Sequence, residues 1–132
     1  MKIQIRQAGP FTSEATIRNH RVRIDRPVDK GGTDKGPMGG ELFLAAIGGY
    51  FMSTLLAVIK ARQAEVSDVL TEVTAALADS PARFTGIEVC VSGACADPES
   101  LEKLVEIAER ECIMINTLRG KLDPGVQLEV RV

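Results

Sequence analysis

LFLAAIGGYFMSTLLAVI, residues 42–59, runs for eighteen positions without a formal charge, bounded by Glu41 and Lys60. No other part of the chain is so apolar for so long, so the way this segment is buried decides the fold. Eighteen uncharged residues stand at the lower edge of what spans a bilayer, where about 20 are usual. Gly48, Gly49, Ser53 and Thr54 interrupt the run, and its flanks lack a polybasic bias. A helix that is hydrophobic all round is buried either in lipid or inside a larger body. The second is expected here: a core helix, with no membrane partner.

The rest of the composition agrees. At 132 residues the chain has the size of one domain, spanning 1–132, and is long enough to bury a real core. Charged residues make up 26% and the hydrophobic set 45%, which excludes a disordered chain. A net charge of −2 argues against a general nucleic-acid binder. The charge is uneven: residues 1–35 hold eight Lys/Arg and four Asp/Glu, a balance of +4, and the remainder carries −6. A basic N-terminal third suits an anionic ligand or another subunit's acidic surface; a solvated strand face explains it equally. MKIQIRQ has no apolar core of a secretory signal. Three cysteines without framework spacing fit a reducing cytoplasm.

Alternation predicts strands on either side of this helix. Lys2–Gln7 places Ile3 and Ile5 on one face. Glu14–Arg18 and His20–Asp25 form a hairpin about Asn19. Arg26–Gly40, with five glycines and two prolines, predicts a surface loop; it lacks the phosphate-loop pattern. The helix is expected from about Gly39 to Ala64, followed by strands Val66–Ala78 and Phe84–Ser92. Asp97-Pro98 is a helix start, with Asp97 as cap and Pro98 in the first turn. Leu101, Leu104, Val105, Ala108 and Cys112 make one apolar stripe, and Glu99 and Glu102 suit the helix's N-terminal end. A short helical turn is expected around Asn116–Arg119, then a closing strand, Val126–Val132, with Val126, Leu128, Val130 and Val132 inward. The order ββ(loop)αββαβ predicts an α+β fold of antiparallel strands with segregated helices.

This order, with GGTDKGPMGGELFLAAIGGYFMSTL and the later AERECIMINTL, resembles the OsmC/Ohr family in its short-loop branch. The resemblance implies an intertwined homodimer whose two central helices are buried at the subunit interface, with Gly48-Gly49 admitting close backbone approach. It also implies a two-cysteine organic hydroperoxide reductase. In that chemistry one thiolate attacks the peroxide and a second cysteine resolves the sulfenic acid, helped by an Arg held by a carboxylate. The second cysteine matches Cys112, but the first falls on Tyr50, in GGY where the family motif reads GGC. Phenols stay protonated at neutral pH and are poor nucleophiles toward peroxide. The carboxylate position falls on Gly40; Glu41 is one residue later and, nine positions before Tyr50, lies on the opposite helix face. Arg21, Arg23 and Arg26 are candidates for the arginine by position only.

Each singled-out residue also has a plain explanation. Cys112 on an apolar stripe fits a small core residue as well as a sole nucleophile. Cys90 is on the polar strand face and Cys95 in a following turn, too far apart along an extended strand for a disulfide. With only His20 and no Cys-x-x-Cys pair, no metal or other cofactor is expected. Tyr50 shares a helix face with Ser53, Thr54 and Ala57. These hydroxyls either line a pocket for a small apolar or peroxide-like ligand, with Glu41 as a further candidate, or bond to helix carbonyls. Three functions follow: a degenerate homodimer without peroxidase turnover, a redox enzyme using Cys112 alone, or an interaction module using the basic N-terminal strands.

Overall fold

The computed structural model describes residues 1–131 of the chain. In order, the elements are β1 (Gln4–Gln7), β2 (Ser13–Ile17), β3 (His20–Ile24), a 3-10 turn (Val28–Lys30), α1 (Gly39–Ala61), β4 (Val66–Ala78), β5 (Arg83–Cys95), α2 (Pro98–Glu111), α3 (Ile113–Leu118) and β6 (Gly125–Arg131). This is the α+β class expected. The chain divides into two compact units, Met1–Phe43 and the part from Leu44 onward.

In the N-terminal unit β1, β2 and β3 form an antiparallel meander. Ile5, Ala15 and Val22 align across it on one face, and Arg6, Glu14 and Arg23 on the other. The alternation therefore reads correctly, but Ile5 stays 63% exposed because β1 is an edge strand covered by nothing in its unit. The reversal between β2 and β3 puts Arg18 in the left-handed region, at φ 54.

The second unit is a helix layer on a three-stranded sheet, ordered β4-β5-β6. Val73, Val89 and Val126 share one row, and Thr71, Val91 and Leu128 the next. Gly48 of α1 faces Val73, and Leu101 of α2 faces Gly93, so both helices cover the same sheet face. Two details depart from expectation. β6 pairs with β5 in parallel, because α2 and α3 carry the chain back across the sheet before β6 begins. β5 also runs on through Cys95, so that residue pairs with Val66 and does not sit in a turn. Of the closing strand, Val132 lies outside the described residues.

The Gly39 start of α1 is as expected, and the helix ends three residues sooner than Ala64. Its 23 residues are long and apolar enough to cross a membrane by length and composition. Within the chain, however, only one stripe is buried: Ile47, Gly48, Phe51, Leu55 and Val58. Ala45, Ala46, Gly49, Tyr50, Ser53, Leu56 and Ala57 are exposed. The expectation of burial all round is therefore met on one side only, the side that faces β4. α2 begins at Pro98, yet the Asp97 side chain makes no capping bond; its carbonyl accepts from Leu101 N–H instead. The expected turn of helix near Asn116 is α3, starting earlier, directly after Cys112.

Candidate functional site

Tyr50 lies midway along α1, 40% exposed. Thr54 Oγ1 donates to the Tyr50 carbonyl at 3.0 Å, so this hydroxyl satisfies itself within the helix. Ser53 and Ala57 share the exposed side with Tyr50. The two glycines beside Tyr50 separate. A Cβ on Gly48 would come 2.6 Å from Val73 Cγ2, so its missing side chain lets α1 lie close on β4; around Gly49 there is open space. A cleft of about 260 Å³ runs beside them, lined by Leu44, Ala45, Gly48, Gly49, Thr71 and Val73. Its lining offers one hydroxyl and no ionisable group.

Cys112 sits at the corner between α2 and α3 and is fully buried. Its carbonyl accepts from Asn116 N–H at 3.0 Å, and Asn116 Nδ2 donates to the Arg110 carbonyl at 2.9 Å. Asn116 thus ties the corner from both sides. Cys95 is buried too, with Sγ 3.2 Å from the Asp97 carbonyl. Cys90 is partly buried, directly across from Glu72. All three cysteines are free thiols. Among the described residues, no cluster of three or more His, Cys, Asp or Glu is placed to hold a metal ion.

Glu41 has a structural role. It stands three residues after Met38, the residue before the first turn of α1, and its Oε1 accepts from Met38 N–H at 3.2 Å. This is the reaching-back half of a capping box, and the carboxylate also suits the positive end of the helix. Arg21 and Arg23 are exposed, with their guanidinium nitrogens 3.7 and 3.8 Å from the Glu14 carboxylate. His20 is exposed at the start of β3.

The residue that sequence reasoning missed is Asp25. Its buried carboxylate accepts from Thr12 Oγ1 at 3.1 Å, Arg26 N–H at 2.7 Å, Lys35 N–H at 3.2 Å, Thr33 N–H at 3.4 Å, and Thr33 Oγ1. The loop from Arg26 to Gly40 is thereby wound around one side chain. Gly32 and Gly36 fit because a Cβ on either would run into the backbone of Arg26 or Arg23. An Asp directly before a Gly-rich, Thr-containing loop was the available signal. Next to this knot a second cavity, of about 360 Å³, is lined by residues that include Phe11, Ile24, Arg26, Met38 and Gly39.

The Thr33 hydroxyl, helped by the Arg26, Lys35 and Thr33 amides, holds the Asp25 carboxyl far below the usual carboxylate range, against the opposing effect of desolvation. A depressed folded pKa contributes stability that is complete above the unfolded value, about 4, and is lost as pH falls through the folded value. Asp25→Asn is therefore expected to lower Tm by roughly 5 °C at pH 7. The wild-type and variant curves of Tm against pH should converge below about pH 4. Parallel curves would show that the carboxylate's charge is not what the loop depends on.

A family model described as OsmC-like protein matches residues 32–126. No curated protein sequence matches the chain. Among solved structures, a hypothetical protein from Aquifex aeolicus VF5 superposes with a TM-score of 0.83 at 16% identity, covering 98% of this chain and 95% of that one. An OsmC-like protein from Mycoplasma pneumoniae gives 0.81 at 16%, covering 98% and 94%. An organic hydroperoxide resistance protein from Elizabethkingia anophelis gives 0.77 at 18%, covering 99% and 97%. At these identities the superpositions speak for the fold, and the family match speaks for descent: the chain belongs to the OsmC-like protein family.

Proposed function

We propose that this chain is an OsmC-like homodimer that binds a small apolar or peroxide-like ligand at its subunit interface and lacks two-cysteine peroxidase turnover. The observation that carries this reading is Tyr50, an exposed phenol at the α1 position where the family resemblance expects the attacking thiol. The dimer is supported by the outward face of α1, where Gly49, Tyr50, Leu56 and Ala57 are exposed in a single chain. Water-facing apolar area of this kind is usually covered by a partner. The β4–β5 ribbon adds to it: among the described residues β6 pairs with Glu88–Ala94, so the hairpin end bearing exposed Leu77 projects past the third strand. Full burial of Cys112 counts against that thiol as sole nucleophile, since a reactive cysteine needs access. Three free thiols fit a reducing cytoplasm, and the proposal requires no cofactor and no nucleic acid.

Peroxidase assays of wild type beside Tyr50→Cys test the reading. A thiolate at position 50 would attack the peroxide oxygen, releasing alcohol and leaving a sulfenic acid. Condensation with a thiol, Cys112 or an added dithiol, then expels water and forms a disulfide that the dithiol reduces. Wild type is expected to show no turnover with an organic hydroperoxide and dithiol, and Tyr50→Cys at least about tenfold more than that background. Wild-type turnover that Cys112→Ser abolishes would reverse the conclusion.

A further inference from the structure

We propose that the outward face of the β1–β3 sheet is a docking surface for helix α2 of another copy of this chain, producing salt-sensitive association. The two surfaces are of opposite charge. Met1–Phe43 carries +3 and the chain from Leu44 onward −5. On the sheet, Arg6, Glu14 and Arg23 form one row across the strands, and Arg21 stands in the next row beside Thr16 and Gln4. Three arginines thus meet a single carboxylate, which lies only within 3.7–3.8 Å of two of them. Arg6 makes no ion pair among the described residues. On α2, five glutamates oppose Lys103 and Arg110. Glu99 pairs with Lys103 at 3.1 Å, while Glu102 and Glu106 are exposed and make no ion pair among the described residues.

The spacings match. Neighbouring strands lie about 4.8 Å apart and alternate residues along a strand about 7 Å, and one turn separates Glu102 from Glu106 by about 6 Å along the helix. A nucleic acid fits the same cationic face less well, because the chain as a whole carries −2 and a dense polyanion calls for a strongly basic partner. The contact joins different patches on the two copies, so it does not close on itself as a two-fold dimer does. Exposed ion pairs are individually weak, so association is expected only at roughly 100 µM protein and above.

Sedimentation of the full chain at about 20 mM and about 300 mM salt tests this, since the higher concentration screens exposed pairs. At low salt the weight-average mass is expected to climb with protein concentration, reaching about twice the high-salt value. Arg21→Glu with Arg23→Glu, or Glu102→Lys with Glu106→Lys, should each abolish the rise, and mixing the two variants should restore it. Equal masses at both salts, association that survives either reversal, or a silent mixture would overturn the proposal. The high-salt mass reports separately on the dimer, so a monomer there would count against the proposed function and leave this contact standing.

Discussion

Phe51→Ala is expected to cost about 3–5 kcal/mol of stability, the range for emptying a fully buried aromatic site. Phe51 is the largest fully buried side chain among the described residues, and it stands in the middle of the α1 stripe between Ile47 and Leu55. The sheet beneath is equally closed, with Val89 and Val91 fully buried. The cavity cannot be relieved by moving the helix inward, because Gly48 already brings α1 against Val73. Most of the lost packing should therefore appear as lost stability. A shift of the urea midpoint, with unchanged slope, would measure it. A loss under about 1 kcal/mol would mean that the site collapses freely and that α1 is not what organises the core.

Leu56→Glu separates a covered helix face from a wetted one. In the single chain Leu56 is 49% exposed on the side of α1 away from the sheet, so a charge there costs a monomer little. Buried between two copies, the same carboxylate would be desolvated twice, once from each subunit, and along α1 itself the following cation is Lys60, one turn away. The dimer is then expected to weaken by at least about 100-fold, read as a concentration-dependent fall in sedimenting mass. A variant with wild-type mass and wild-type thermal stability would place this face in water and remove the main support for the dimer.

Much of the fold was legible because it rests on local pattern. Alternation located β2, β3 and β5, the stripe from Leu101 to Ala108 located the buried side of α2, and the uncharged run located α1. What was not legible is what depends on partners distant in sequence. Nothing in Val126–Val130 announces a parallel neighbour; that follows from how α2 and α3 return the chain. Likewise the exposure of Ile5 reflects what covers β1, and alternation reports faces without reporting cover. At the candidate site the residue types were plain but their duties were not. Glu41 looked like a displaced acid and is found bonding Met38 N–H, while Thr54 bonds the Tyr50 carbonyl. Asp25 was passed over because five donors converge on it only after Thr12 and the loop have folded back.

The parallel placement of β6 also bears on the order in which the second unit assembles. β4 and β5 meet across a short turn and lose little chain entropy on pairing. β6 can join β5 only after the 29 residues from Ala96 to Pro124 have been looped back, and loop closure charges that delay to the last strand. β6 is thus expected to pair late in folding and to be lost early in unfolding.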